Sequence, residues 1–330
     1  MKAAYINQPG PADSIIYGDL PEPSVGPGQL LIEVKAVAVN PVDTYVRGGA
    51  IAFDLPSPFI VGCDFAGVVA EVGEGVTRFQ PGDRVWGSNQ GLLGRQGTFA
   101  EKIAVHANWA YPTPGGLSDS DAAAGALVGV TAHLGLFARA NLQAGETVLV
   151  QGGSGGVGSM VVQMAKAAGA TVIATGGSEE KRKMCRDLGA DVAINYRSQD
   201  VAAEVKQAAP GGVNVFWEMQ RTPDFDLAFD LLAERGRMVV MAGRDAKPPF
   251  PVGPFYVKEL TLLGFVMFKA TPQEQRIAAE AMNRWYAAGK LKPRIDRTLP
   301  LSSAAEAHRL QEDATVHGAA SLAGKIVLRP

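Results

Sequence analysis

Residues Thr147–Asp191 read TVLVQGGSGGVGSMVVQMAKAAGATVIATGGSEEKRKMCRDLGAD. Thr147–Gln151 is a short apolar run of strand length, and Gly152-Gly153-Ser154-Gly155-Gly156-Val157-Gly158 follows at once. Ser159–Ala168 then sets Met160, Val161, Met164, Ala165 and Ala168 at helical spacing. Gly169 stops that helix, and Thr171–Thr175 is a second, β-branched strand. Strand, glycine turn, helix and strand make the unit that binds a dinucleotide. Gly153, Gly155 and Gly158 fit G-x-G-x-x-G. The first is expected to allow the tight turn, the second to let backbone N–H groups approach a pyrophosphate, and the third to let helix and strand pack closely. The helix N-terminus then offers the phosphate unpaired donors and a partial positive charge.

The tip of the second strand bears on which dinucleotide binds. An NAD site usually has Asp or Glu there, about 20 residues after the glycines, to hold the ribose 2′-hydroxyl. This chain has Thr175-Gly176-Gly177-Ser178 and no acid until Glu179. A carboxylate would repel a 2′-phosphate, and here that repulsion is missing. Lys181, Arg182 and Lys183 follow within one helical turn as candidate cations. The residues favour NADPH over NADH.

The 330 residues are enough for two domains, and 47% hydrophobic with 19% charged residues describes a globular protein with a substantial core. The formal net charge is −2 without a long basic block, so no nucleic-acid partner is expected. Two distant cysteines, Cys63 and Cys185, exclude a disulfide framework and a cysteine-rich zinc site. No uninterrupted apolar run approaches the roughly 18 residues of a membrane span, and MKAAYINQPG has no signal-peptide core. A cytoplasmic protein without a membrane partner is the expectation.

Up to residue 120, short apolar runs alternate with Gly/Pro turns. Lys2–Asn7, Gln29–Val39, Gly67–Val72, Arg84–Gly87 and Phe99–Val105 read as strands of a β-rich barrel. Ser118-Asp119-Ser120-Asp121 offers N-caps for an apolar helix over Ala122–Arg139. From about residue 146 to 266, strands at Thr147–Gln151, Thr171–Thr175, Val192–Asn195, Val213–Glu218, Arg237–Val240 and Thr261–Val266 alternate with helices. That pattern predicts a doubly wound parallel sheet. Beyond it, a helix opens at Thr271-Pro272, a strand lies within Arg294–Leu299, a helix covers Ser302–Gln311 and a last strand Lys325–Leu328. The fold class is α/β, with residues 1–122 and 267–330 building one domain and 123–266 a nucleotide domain inserted between them.

Several motifs carry a family resemblance over nearly the whole chain. They include Asn40-Pro41-Val42-Asp43-Thr44-Tyr45-Val46-Arg47-Gly48-Gly49, Gly62-Cys63-Asp64-Phe65-Ala66-Gly67 and Gly97-Thr98-Phe99-Ala100-Glu101. The glycine loop, Leu188-Gly189-Ala190-Asp191, Asn195-Tyr196-Arg197 and Gly324-Lys325-Ile326-Val327-Leu328 add to them. With these the chain resembles the zinc-independent quinone oxidoreductases, the zeta-crystallin branch of the medium-chain dehydrogenase/reductase superfamily. The resemblance implies a GroES-like catalytic domain and a Rossmann domain. It also implies NADPH, a quinone or activated alkene as small-molecule substrate, and a homodimer through the edge of the nucleotide sheet. Alternatives are a reductase of alkenals, enones or enoyl thioesters, and a crystallin-like or RNA-binding protein that kept the fold.

Zinc-dependent relatives carry a cysteine at or beside the position of Asn40 and Gly-His-Glu in place of Gly62-Cys63-Asp64. A catalytic zinc wants three protein ligands and an open position. Here Cys63 is the one thiol nearby, and His106, His133, His308 and His317 are scattered. The four-cysteine lobe is missing after Arg84-Val85-Trp86, so no metal is expected.

By resemblance, Ser154, Gly155, Gly156 and Val157 hold the pyrophosphate, and Gly177, Lys181 and Tyr196 surround the 2′-phosphate. Thr222, Met241, Ala242, Gly243, Arg244, Phe265, Val266 and Met267 follow later strands at the same sheet edge, the last two groups beside the nicotinamide amide. Thr131 lies near the cofactor in relatives, and Tyr45 over the nicotinamide. Tyr45 is the candidate catalytic residue, a donor toward an oxyanion, whereas Asp43 reads as a turn or helix cap. The substrate-specific loops are expected at Gly48–Pro58, with an apolar lip at Ala50–Pro58, and at Gly87–Gly97.

Overall fold

The structure, a computed structural model, describes residues 1–51, 54–318 and 322–330. The expected lip at Ala50–Pro58 includes positions outside the described residues. Dense Gly/Pro punctuation divides the first third into many strands. They are β1 (Lys2–Ile6), β2 (Ile16–Asp19), β3 (Gln29–Ala38), β4 (Phe59–Ile60), β5 (Asp64–Val72), β6 (Arg84–Gly87), β7 (Lys102–His106) and β8 (Ala110–Pro112), of which β3 and β5 are long. Helix α1 (Pro41–Arg47) stands between β3 and β4, and α2 (Asp119–His133) follows β8. The sequence expectation had no β2, β4, β8 or α1. Each is short, and β4 has only two residues.

The central part alternates as expected: β9 (Thr147–Val150), α3 (Gly156–Ala167), β10 (Thr171–Gly176), α4 (Glu179–Asp187), β11 (Val192–Asn195) and α5 (Val201–Ala208). Then come β12 (Val213–Glu218), α6 (Phe225–Leu231), β13 (Leu232–Val240), α7 (Val252–Val257) and β14 (Thr261–Gly264). The chain ends with α8 (Pro272–Ala287), β15 (Ile295–Pro300), α9 (Ala304–Glu312) and β16 (Lys325–Arg329). Thr271 and Glu274 form a capping box with Pro272 in the first turn, which is why α8 starts there.

Contacts divide the chain into two compact units, Met1–Val128 with Thr271–Pro330, and Gly129–Ala270. The first division falls inside α2. In the first unit, β15-β16-β3-β5-β6-β8 form one sheet with β7 also on β3, and β2-β1-β4 form a small second sheet. β3 carries the larger sheet: Leu30, Ile32 and Val34 turn inward while Glu33 and Lys35 face water. In the second unit the order is β11-β10-β9-β12-β13-β14, with every pairing parallel. Leu149, Ile173, Ile194, Phe216 and Met238 from five of these strands share one core. Strands buried on both faces read as continuous apolar runs.

Although no apolar run is continuous, the helix Asp119–Arg139 is long and apolar enough by composition to cross a membrane. Some 78% of its apolar stretch is buried inside the fold, as in the core helix of a globular protein.

In the first unit α1 and α9 meet through charged groups. Arg47 is buried, donates to the Gly10 carbonyl (2.7 Å) and pairs with Glu312. His308 is buried beside it, edge-on to Phe99 at 5.8 Å between ring centroids. Burial, helped by the Arg47 charge, lowers the His308 pKa to about 3. The unfolded chain therefore binds a proton that the folded one refuses, and this group costs stability as pH falls below its ordinary value. Between pH 7 and pH 5 the loss is about 2 kcal/mol. Buried carboxyls shift the other way, so urea titrations should compare the protein with His308→Leu. The variant is expected to gain about 2 kcal/mol relative to the parent over that interval. Equal pH dependence of both would mean that His308 is not held neutral.

Candidate active site

All six strands of the second unit direct their carboxyl ends to one edge, and the order reverses between β9 and β12. Sheets of this type take ligands at that reversal. The glycine loop follows β9 directly. Gly152 has φ +72°, and its N–H donates to Thr175 Oγ1 (3.0 Å). Gly153 N–H donates to the Thr175 carbonyl (3.0 Å), and Gly155 N–H to the Gly152 carbonyl (3.0 Å). The tight turn thus belongs to Gly152, not to Gly153 as the motif suggests. Gly153 is instead a packing glycine, where a Cβ would lie 2.8 Å from Ala174 Cβ and 3.1 Å from Cys185 Sγ.

α3 begins without a side-chain cap. Ser159 N–H is the first to reach back, to the Gly155 carbonyl at 2.9 Å, so the N–H groups of Gly156, Val157 and Gly158 have no intrahelical acceptor. Ser154 is buried, and Gly155, Gly156 and Val157 are half-buried. A cradle of free donors at a helix N-terminus fits a pyrophosphate.

At the tip of β10, Ser178 caps α4, its hydroxyl accepting from Lys181 N–H (3.2 Å). Gly177 lies beneath the Tyr196 phenol: a Cβ there would be 2.4 Å from the Tyr196 hydroxyl. Arg182 pairs with Glu179 (2.9 Å) and Lys183 with Asp187 (2.7 Å). Of the three cations after the strand tip, Lys181 is the one with no ion pair among the described residues.

Thr222 follows β12 and lines a cleft of ≈ 570 Å³ with Gln220, Pro223, Asp224 and Lys247. Met241, Ala242, Gly243 and Arg244 follow β13. Gly243 has φ +82°, and a Cβ there would lie 2.4 Å from the Arg221 carbonyl, so the loops after β12 and β13 are in contact. Phe265, Val266 and Met267 follow β14 at the end of the sheet, Val266 exposed and Met267 buried. Thr131 is buried within α2.

Sequence reading missed a polar group at the strand reversal. Glu218 is fully buried, accepts from Gln220 N–H (2.6 Å) and faces Gln151 Nε2 (3.5 Å); Gln220 Nε2 donates to Gln151 Oε1 (2.6 Å). Burial raises the Glu218 pKa. The available signal was a polar residue at the end of each of two apolar strands.

In the first unit Tyr45 is half-buried on α1, and its hydroxyl has no hydrogen-bond partner among the described residues. Asp43 is the cap the sequence suggests, accepting from Asn40 N–H at 2.8 Å. Its other oxygen is buried without a hydrogen-bond partner among the described residues. Burial, with Asp64 adding to it, pushes Asp43 up to about 7. Asn40 Nδ2 donates to Asp64 (2.8 Å), and Lys325 donates to Asn40 Oδ1. These residues do not fit a catalytic zinc. An ammonium stands among them, and no group of three His, Cys, Asp or Glu able to hold a metal occurs among the described residues.

Comparison with known proteins agrees with this geometry. Residues 156–284 match the zinc-binding dehydrogenase family and residues 26–115 the alcohol dehydrogenase GroES-like domain. The quinone oxidoreductase of Rattus norvegicus is 34% identical over 320 residues, 97% of this chain and 94% of the relative. The chain belongs to the quinone oxidoreductase family of medium-chain dehydrogenases/reductases. Among solved structures, an NAD-dependent alcohol dehydrogenase superposes with a TM-score of 0.90 at 31% identity, covering 100% of both chains. The Escherichia coli quinone oxidoreductase complexed with NADPH gives 0.85 at 26% identity, again over 100% of both. The chain is thus an oxidoreductase with a nicotinamide cofactor and a small-molecule substrate.

Two glycines separate packing from binding. At Gly158 a Cβ would lie 2.3 Å from the Gly152 carbonyl, backbone that cannot give way. At Gly155 the nearest atom would be 3.4 Å away, an ordinary contact. Gly158→Ala is therefore expected to lose about 2 kcal/mol of stability together with dinucleotide affinity. Gly155→Ala should melt like the parent yet bind at least about tenfold more weakly, ~1.4 kcal/mol, because its methyl enters the phosphate space. Calorimetry and fluorescence titration would read both, and unchanged affinity in Gly155→Ala would remove the pyrophosphate from this loop.

Proposed function

We propose that this chain reduces quinones with NADPH and without a metal. The observation that carries the cofactor choice is the tip of β10. No carboxylate stands there, Ser178 and Tyr196 present hydroxyls, and Lys181 is the cation left without a carboxylate partner. Ser154, Gly155, Gly156 and Val157 would hold the pyrophosphate. Gly177, Lys181 and Tyr196 would hold the 2′-phosphate. The segments at Thr222, Met241–Arg244 and Phe265–Met267, with Thr131, would line the rest of the dinucleotide. When bound, NADPH supplies the hydride. The protein orients the partners and limits access of water.

Metal-free chemistry suits a quinone. Reducing it leaves charge on an oxygen already stabilised by the ring, so no Lewis acid is needed and water can supply the proton. Tyr45 is the polar group we assign to the substrate side. A homodimer through the β14 edge is part of the same reading: Val252, Tyr256 and Val257 of α7 are 62%, 67% and 69% exposed, an apolar face of the kind that subunits cover. Two free, buried thiols suit a reducing, cytoplasmic compartment. The test is NADPH oxidation with a panel of quinones, alkenals and enoyl thioesters in the presence of a strong chelator. Turnover of quinones without loss to the chelator supports the reading, and one zinc per chain lost together with activity defeats it.

Lys181→Glu should weaken NADPH by roughly 1.5–3 kcal/mol, the value of a charge-assisted phosphate contact, and leave NADH nearly unchanged. A parent protein that prefers NADH in the same titration would show that the β10 tip has been misread. Tyr45→Phe should lose less than about tenfold in turnover with a quinone, ~1.4 kcal/mol, and more with an alkenal, whose enolate is more basic. Stopped-flow traces with both substrates measure the step. A loss of a thousandfold with the quinone would make Tyr45 an essential acid, contrary to this proposal.

A further inference from the structure

Three strand ends meet at one point in the first unit. β16 and β3 are antiparallel with Val327 opposite Ala38, which brings Lys325 opposite Asn40, and Ala38 in turn faces Asp64 at the start of β5. Lys325, Asn40, Asp43, Cys63 and Asp64 are all at least 95% buried. The Lys325 ammonium donates to Asn40 Oδ1 and lies 3.8 Å from Asp64 Oδ2. Asp64 is held further by Asn40 Nδ2 (2.8 Å) and by Leu127 N–H of α2 (3.1 Å). From Asn40 the chain of bonds continues through its N–H to Asp43, which caps α1. A buried ammonium is costly unless it is paired and hydrogen-bonded, and so is a buried carboxylate. Here each compensates the other, and Asn40 is the polar side chain bonded to both.

We propose that Lys325 is the resident cation of this unit: seated between Asp64 and Asn40 where a metal would need its ligands, it clamps the start of α1 and so positions Tyr45. The effect on turnover rests on the reading of Tyr45 as a substrate-side residue, whereas the clamp itself does not. Lys325 is a positioning residue, since its buried ammonium is spent on Asn40 and Asp64. Burial lowers its pKa, and the Asp64 carboxylate beside it opposes that shift.

The test uses the full-length protein and three variants, Lys325→Met, Asp64→Asn and the double substitution. Each is followed by thermal melting, NADPH fluorescence titration and steady-state reduction of a quinone. Lys325→Met leaves Asp64 unpaired, and its melting midpoint should fall by about 10 °C. The double variant removes that charge and should regain at least about half of the loss. Turnover should fall about tenfold or more in Lys325→Met and stay low in the double variant, because Asn40 has still lost its donor. NADPH affinity, whose proposed phosphate contacts all lie in the second unit, should stay within about twofold throughout. That split between recovered stability and unrecovered kcat is what a lysine that merely fills space would not give. The proposal is overturned if Lys325→Met melts and turns over like the parent, if the double variant regains turnover together with its midpoint, or if NADPH affinity falls in step with kcat. A parent protein inactive on every quinone would sink the functional reading instead, while the coupling of midpoints would still test the clamp.

Discussion

A Cβ at position 158 would lie 2.3 Å from the Gly152 carbonyl, and the absence of that one atom lets helix α3 start where it does. With no side chain between them, the end of β9 and the first turn of α3 come into backbone contact. The turn is then tied down from the neighbouring strand: Thr175 receives the N–H of Gly152 on its hydroxyl and that of Gly153 on its carbonyl. The donors left over, at Gly156, Val157 and Gly158, are therefore fixed at the point where the strand order reverses. The pyrophosphate part of the proposed cofactor site thus rests on backbone placed by packing, while the 2′-phosphate part is left to Lys181.

The first unit solves a different problem with opposite means. Its junction of β3, β5 and β16 is filled by polar groups rather than emptied of side chains. Apolar packing could have filled the same space at no electrostatic cost. The ionic solution gives direction: the Lys325 ammonium, the Asn40 amide and the Asp64 carboxylate meet in one arrangement, which the Asn40 N–H extends to the Asp43 cap of α1. At the other end of α1 the buried Arg47 pairs with the half-buried Glu312 beside a buried His308.

The parallel sheet was legible because strands buried on both faces leave continuous apolar runs, and because glycine spacing records close backbone approach. The start of α8 was legible from Thr271-Pro272. What could not be read was decided by neighbours distant in sequence. α1 has seven residues, too few for a helical period to show, and it is anchored by groups as remote as Glu312 and, through Asn40, Lys325. Four glycines within Gly152–Gly156 make any of several turns sterically possible, and the hydrogen bonds that Gly152 and Gly153 donate to Thr175 select Gly152 for the positive φ. Glu218 and Asp64 carry charge types that sequence patterns assign to the surface. Only the fold shows that amides and an ammonium meet them.

The cation chosen for the first unit constrains the chemistry available to it. A metal with an open coordination position can polarise a substrate oxygen. A lysine whose ammonium is hydrogen-bonded to Asn40 and faces Asp64, at 5% exposure, has no such position to offer. It can neutralise, orient and stiffen. In the proposed function, stabilisation of charge developing on a substrate would come from Tyr45, from backbone N–H groups or from the substrate itself. An electrophile whose reduced form spreads its own charge makes the smallest demand of such a site. A quinone meets that condition better than an alkenal does, so a set of residues that does not fit a catalytic zinc suits the substrate class proposed for the enzyme.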